Sequence, residues 1–306
     1  MKRRFSILFL FVMLGVGEVF SQQDAMYTQY MFNTLAINPA YAGSRNVVSA
    51  TALLRSQWTG IDGAPKTQTF TIDAPINEKK VGLGLQIFSD KLGKTSNTGA
   101  VATYAYRIRM DRASLSFGLQ GSVSQFNTDY NSVELDPSGL SNDPAFINND
   151  SRTLLNFGTG IYYNSDRFYA GLSAPELMSN ILPGSQTGQN KSSLHIFLMS
   201  GYVFSLNNTF KLKPSFLFKG AMGAPLEADL NTSLWIKDVL SIGAQYRTNA
   251  DISGLLEIQA TPQIRFGYSY DHSTTGLSSY NSGSHEIMLR YEFGIQRAKV
   301  LTPRYF

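Results

Sequence analysis

The chain of 306 residues has no cysteine and three histidines, His195, His272 and His285. No two of these stand at a metal-ligand spacing, and without a thiol the usual donor set of a structural zinc site is missing. A hydrolase needs a serine, a histidine and an orienting polar group held together. His272 follows Asp271 in a stretch that reads as a loop, and His285 follows Ser284 at the start of a strand-like segment, so neither spacing is that of a triad. No catalytic residue, metal ligand or cofactor site is expected, and the chain is not read as an enzyme.

Charges at alternate positions are the more informative chemistry: Lys211, Lys213, Lys219, Glu227, Asp229, Arg247, Glu257, Arg265, Glu286, Arg290 and Glu292. Their immediate neighbours are largely apolar, and in a strand successive side chains point to opposite faces. If one face meets lipid, a charge left there costs about 2–4 kcal/mol at mid-membrane, so the alternation turns the charges inward. Glu257, Arg265, Glu286, Arg290 and Glu292 are the candidate lumen charges. Inside a barrel they would form a ladder of ion pairs that fills the lumen, which is the simpler reading, or a polar path that selects solutes.

The elements that must carry them are strands. In 113–126, Leu115, Phe117, Leu119, Gly121 and Val123 face one side, while Ser114, Ser116, Gln120, Ser122 and Ser124 face the other. The same period of two recurs in 263–271 and 284–293. Candidate strands fall at 46–58, 65–76, 80–89, 98–109, 113–126, 152–163, 167–173, 192–205, 209–220, 226–236, 239–248, 251–260, 263–271 and 284–293. That is an even count, and most are long enough to cross a bilayer at a tilt, which takes about 9–11 residues. Connections after even-numbered strands are short and most of those after odd-numbered ones are longer, including 90–97, 127–151 and 174–191. Outer-membrane barrels alternate in this way, with the short turns and both ends of the chain on the periplasmic side. The expected fold is all-β, a transmembrane antiparallel barrel of about 14 strands over 46–306 with a C-terminal tail.

Gly82-Leu83-Gly84 lacks the third glycine and the helix of a phosphate loop, so it reads as a place for close packing or a bend. The acid- and amide-rich 127–151 lacks the spaced ligands of a calcium loop. Pro175-Glu176-Leu177-Met178 resembles one helical turn begun by proline, within a stretch that would serve as an outer lid.

At the start, Lys2-Arg3-Arg4, an apolar run from Phe5 to Val16 and Ser21 read as a signal peptide over 1–21, cut near Ser21. The formal charge then falls from +4 to +2, since three positive residues and Glu18 are lost. No basic patch interleaved with aromatics points to nucleic acid.

Between leader and barrel, residues 22–45 fit neither. Tyr27, Tyr30, Met31 and Thr34 have helical spacing, which predicts a short amphipathic helix to Ala36. Pro39 biases Asn38 toward an extended backbone, and Gly43 permits angles other residues resist. A short helix and a stiff turn suit a plug at the periplasmic side, either as filler for the barrel mouth or as a gate.

This stretch also carries a resemblance. Gln23-Asp24, Tyr27 through Asn33 with Tyr30, Met31 and Phe32, and Ile37 through Ser44 with Asn38, Pro39, Ala40, Tyr41 and Gly43 are similar to the opening of the PorP/SprF family of Bacteroidota outer-membrane proteins. Arg55-Ser56-Gln57-Trp58, Pro65-Lys66-Thr67-Gln68 and the ending Pro303-Arg304-Tyr305-Phe306 resemble it too. The resemblance implies an outer-membrane accessory of type IX secretion. It would help export or anchor a secreted partner with a type IX C-terminal domain, such as a large adhesin, in some members for gliding motility. Implied partners are that protein, other type IX components and outer-membrane lipid. The family fold is similar to the fatty-acid transporter barrels, whose plug has an Asn-Pro-Ala turn like Asn38-Pro39-Ala40. That likeness keeps a second reading open, a channel or transporter for hydrophobic or small solutes.

Overall fold

The computed structural model describes residues 27–129, 149–178, 194–221 and 224–294. The leader with its cleavage position, most of 127–151 and of 174–191, and the C-terminal tail lie outside the described residues.

Fourteen antiparallel strands close into one barrel. They are β1 (Val48–Ser56), β2 (Lys66–Ile76), β3 (Val81–Leu92), β4 (Thr95–Arg109), β5 (Ala113–Thr128), β6 (Asp150–Ser165) and β7 (Phe168–Ala174). β8 (His195–Tyr202) breaks at Val203 and resumes over Phe204–Ser205. The ring is completed by β9 (Phe210–Ala221), β10 (Glu227–Ile236), β11 (Leu240–Arg247), β12 (Asp251–Gln259), β13 (Ile264–Ser273) and β14 (Ser284–Phe293). Each strand pairs with its neighbours in sequence, and β14 returns to β1 with Val48 opposite Phe293 and Ser56 opposite His285. Closure pairs the last strand with the first, so the ring ends in no free edge strand, as hydrocarbon demands.

Inside and outside are inverted relative to a water-soluble protein. Leu54, Leu85, Phe157, Leu230, Ile252, Phe266 and Ile287 are exposed, while Arg55, Lys213, Asp229, Glu257, Glu286 and Arg290 are buried. Outward aromatics gather at the short-turn end, where Tyr163 meets Phe168, Tyr202 meets Phe204 and Tyr291 meets Phe293 at ring separations of 6.0, 4.6 and 4.6 Å. Such a girdle seats amphipathic rings at a membrane boundary.

Turns after even-numbered strands are short, and Lys237-Asp238, at φ 51° and 59°, makes the left-handed reversal that suits two twisted strands. The sequence-based expectation differs from the structure at 90–97. There β3 and β4 continue to Leu92 and from Thr95, and only Gly93-Lys94 lie between them, with Gly93 at φ 58°. Both faces of these strand ends are polar, which is why the alternation fades there. Pro175 to Met178 is no helical turn either. Leu177 N–H donates to Phe157 O at 2.8 Å, the Asn156 amide brackets the Met178 backbone, and Pro175 O accepts from Gln120. His272, expected in a loop, lies on β13 facing outward.

About eight strands leave an interior that side chains alone can fill, so a ring of fourteen leaves room for more. Residues 27–45 occupy it.

Candidate functional site

The inner wall and this segment are built for each other. The segment is no continuous α-helix: residues 28–32 form turns, Thr34–Ala36 and Pro39–Tyr41 are single 3-10 turns, and Tyr27, Tyr30, Met31, Phe32, Ala40 and Tyr41 are all buried. Surrounded by wall, it has no solvent side for a helical stripe to face. Asn38 is extended at φ −141°, ψ 109°, and its Oδ1 accepts from Ala40 N at 2.9 Å, capping the turn that Pro39 begins. Gly43 holds φ +69° where a Cβ would press on Ala74 O and Gly82 Cα.

The segment runs the depth of the barrel. At the long-loop end, Glu286 on β14 accepts from Thr28 N at 3.0 Å and from Gln29 N at 2.8 Å. The Arg55 guanidinium on β1 lies 3.0 Å from the same carboxylate and 2.7 Å from Asp271 on β13. Asp271 also accepts from Thr28 Oγ1, and Tyr27 Oη meets Thr69 Oγ1 at 2.8 Å. Midway, Asn33 Oδ1 accepts from Thr71, and Ser173 Oγ donates to Ile37 O. At the short-turn end, Asp73 accepts from Gly43 N, Arg107 donates to Ala42 O at 3.0 Å, and Arg45 pairs with Glu292 at 2.7 Å.

Opposite the charges, the wall is hollowed by glycines. A Cβ at Gly118 on β5 would overlap the backbone of Pro39 and Ala40; one at Gly82 on β3 would overlap Ala42. The Asn38 amide sits against Gly160 on β6 and Gly171 on β7, and its Nδ2 donates to Ile161 O at 3.1 Å. The Gly82-Leu83-Gly84 run is therefore a packing surface, with Leu35 against Gly84.

The five lumen charges named from sequence all line this interior. Arg265 pairs with Glu257 at 2.8 Å and lies over the Trp235 ring at 5.2 Å. Arg290 Nε donates to Thr51 Oγ1 at 3.2 Å. Arg247 pairs with Asp229 at 2.9 Å and Asp251 at 3.3 Å, and Lys213 Nζ stands 5.5 Å from the Tyr169 ring. Lys211 instead pairs with Asp238 near the exposed rim. Of the histidines, His195 is buried on the inner face of β8, whereas His285 is outward and bonds Tyr268 Oη at 2.7 Å. Arg55, Asp271 and, beyond Gly82-Leu83-Gly84, the glycines of the hollow are not singled out for this interior by the sequence. Arg55 and Asp271 do lie in the inward phase of their strands, and Gly118 stands between Ser116 and Gln120 in theirs.

No curated protein matches the chain. Among solved structures, it resembles the Acinetobacter baumannii outer membrane protein Omp33 at 9% identity, covering 81% of this chain and 99% of that one, with a TM-score of 0.46. A Pseudomonas aeruginosa FadL homologue matches at 13% identity over 81% and 89%, TM-score 0.43, and the KdgM porin at 10% over 81% and 100%, TM-score 0.42. The family model described as type IX secretion system membrane protein PorP/SprF matches residues 19–291. That span takes in the plug and nearly the whole strand array, and the family is one of secretion-system membrane proteins rather than of enzymes: this outer-membrane barrel belongs to the PorP/SprF family.

Proposed function

We propose that this chain is a non-conducting outer-membrane accessory of type IX secretion that helps export a secreted partner or hold it at the cell surface. One observation supports it over a solute channel: the wall is complementary to its own N-terminal segment through the whole depth of the barrel. The inner charges are engaged in that fit or with one another. Glu286, Asp271 and Arg55 hold residues 28–29, Glu292 holds Arg45, and Glu257 and Arg265 hold each other. A lumen so occupied suits a platform whose working surface lies on its loops. Plug residues Tyr27 to Gly43 then keep the barrel shut, and the partner is a protein carrying a type IX C-terminal domain.

Isolation of the native complex from outer membranes tests this reading. A large secreted protein should co-purify and should leave the cell surface when the gene is deleted. A steady open conductance of the intact chain in planar bilayers, with no co-purifying protein, would replace the accessory with a channel.

A further inference from the structure

The barrel is taller on one side. Strands β3 to β6 have 12, 15, 16 and 16 residues, against 8, 9, 10 and 10 for β11 to β14. The extra length lies toward the long-loop end, and its outward face changes character abruptly. One register row across β2 to β6 reads Phe70, Ile87, Ala100, Val123, Leu155; the next outward row reads Gln68, Ser89, Thr98, Gln125, Thr153. The row beyond is Lys66, Lys91, Ser96, Asn127, Ser151. Four residues along a tilted strand raise this last row about 10 Å above the apolar one. That is the depth of lipid headgroups.

Lys66 and Lys91 are direct cross-strand partners on this face. Like charges placed so repel and weaken a sheet. Lys94 joins them from the β3–β4 turn, and none of the three makes an ion pair among the described residues. The connection from β1 to β2 folds beside them, fixed where Gly93 N–H donates to Gly63 O at 2.7 Å. Between connection and turn lies a pocket of about 630 Å³ lined by Ile61, Asp62, Lys66, Lys91 and Lys94. The polar rows beside it are already ordered, with Ser89 and Thr98 hydroxyls 3.1 Å apart and Thr153 donating to Gln125 at 2.9 Å.

We propose that this face binds the phosphorylated sugar headgroup of an outer-leaflet glycolipid. The lysines meet its phosphates, the hydroxyl and amide rows meet its sugars, and the apolar row below meets its acyl chains. The three kinds of surface stand in the order in which such a lipid presents them, and a basic cluster at a membrane surface contributes about 1 kcal/mol of attraction per residue.

The test uses the full purified chain in detergent, titrated with lipopolysaccharide, with the same lipid after phosphatase treatment, and with inorganic phosphate; bound lipid is counted by native mass spectrometry. K66E/K91E/K94E should weaken lipopolysaccharide binding roughly a hundredfold. K79E/K80E, in the turn at the opposite end, should leave it unchanged. All three lysines are on the surface, and heat-modifiable migration on gels checks that the variant barrel is folded. Phosphatase-treated lipid should bind the parent as weakly as intact lipid binds the variant. Equal binding by parent and variant, or a response to inorganic phosphate as large as that to the lipid, overturns the proposal. So does a variant that keeps its lipid and loses a co-purifying protein, which would make the face a protein-docking surface.

Discussion

The two halves of the inner wall hold the same plug mainly by different physics, with Arg107 on β4 and Gly267 on β13, against Gln29, as exceptions. On β3 to β7 the wall yields space: Gly82, Gly118, Gly160 and Gly171 let backbone and the Asn38 amide come as close as another strand would. On β9 to β14 and β1 the wall supplies charge: Glu286, Asp271, Arg55, Arg247 and Glu292, all buried, meet backbone N–H groups or opposite charges. Steric fit sets where the Asn-Pro-Ala turn seats, and a carboxylate aimed at two amides fixes residues 28 and 29. Neither half alone fixes a chain along the barrel axis. The glycine half binds the plug around its Asn-Pro-Ala turn, and the charged half grips residues 28–29 and Arg45.

The largest effect is expected on the charged side. Glu286→Ala removes the acceptor of two backbone N–H groups and leaves Arg55 with Asp271 as its remaining ion-pair partner beside Thr28 Oγ1, so thermal unfolding in detergent should show a loss of about 3–5 kcal/mol. Cleavage of the plug by trypsin at Arg45 should rise with it. A loss below about 1 kcal/mol, with the plug still protected, would mean that shape alone retains the segment.

On the hollow side Gly118→Ala forces a methyl group into the Ala40 backbone and should cost about 1–3 kcal/mol. Gly254, where an added Cβ meets nothing within 4 Å, is its control, and Gly254→Ala should be near neutral. Equal behaviour of the two would mean that contact with the plug, which Gly118 makes and the outward-facing Gly254 does not, carries no cost. A smaller effect follows for Asn38→Ala, which loses the cap on Ala40 N and the bond to Ile161 O while keeping Pro39; about 1–2 kcal/mol is expected by the same unfolding measurement.

What the sequence discloses follows the same division. Strand count, inward charges and the extended Asn38 before Pro39 were legible because each is a local consequence of period or backbone sterics. The partner of each charge was not: Arg55 and Asp271 are more than two hundred positions apart in sequence and meet only because closure brings β13 and β14 to β1. Beyond Gly82-Leu83-Gly84, the glycine hollow was hidden for a different reason. A missing side chain has no polarity, so Gly118 interrupts neither the apolar phase nor the polar one. The plug's helical spacing misled because the residues are buried on every side, which removes the face that makes such spacing meaningful. The 90–97 stretch misled because above the apolar belt both faces of a strand are polar and alternation carries no signal.

The smallest net effect is the sharpest test of what the charged half does. Glu257 and Arg265 are a buried pair at 2.8 Å, with Arg265 also stacked over Trp235. Removing one partner strands a buried charge, so Glu257→Leu alone should cost about 3 kcal/mol or more. Replacing both, as Glu257→Leu with Arg265→Met, removes the charge while keeping volume against Trp235. The pair's attraction is offset by the desolvation it required, and the double variant should stay within about 1 kcal/mol of the parent. A double-variant cycle measured by unfolding in detergent reads the difference directly. If the double variant falls as far as the single one, these charges do more than fill space, and a role in partner contact or solute passage returns for this part of the wall. If it recovers, the grip on the plug rests with Glu286, Asp271 and Arg55, and the remaining charges are ballast that keeps a wide barrel packed.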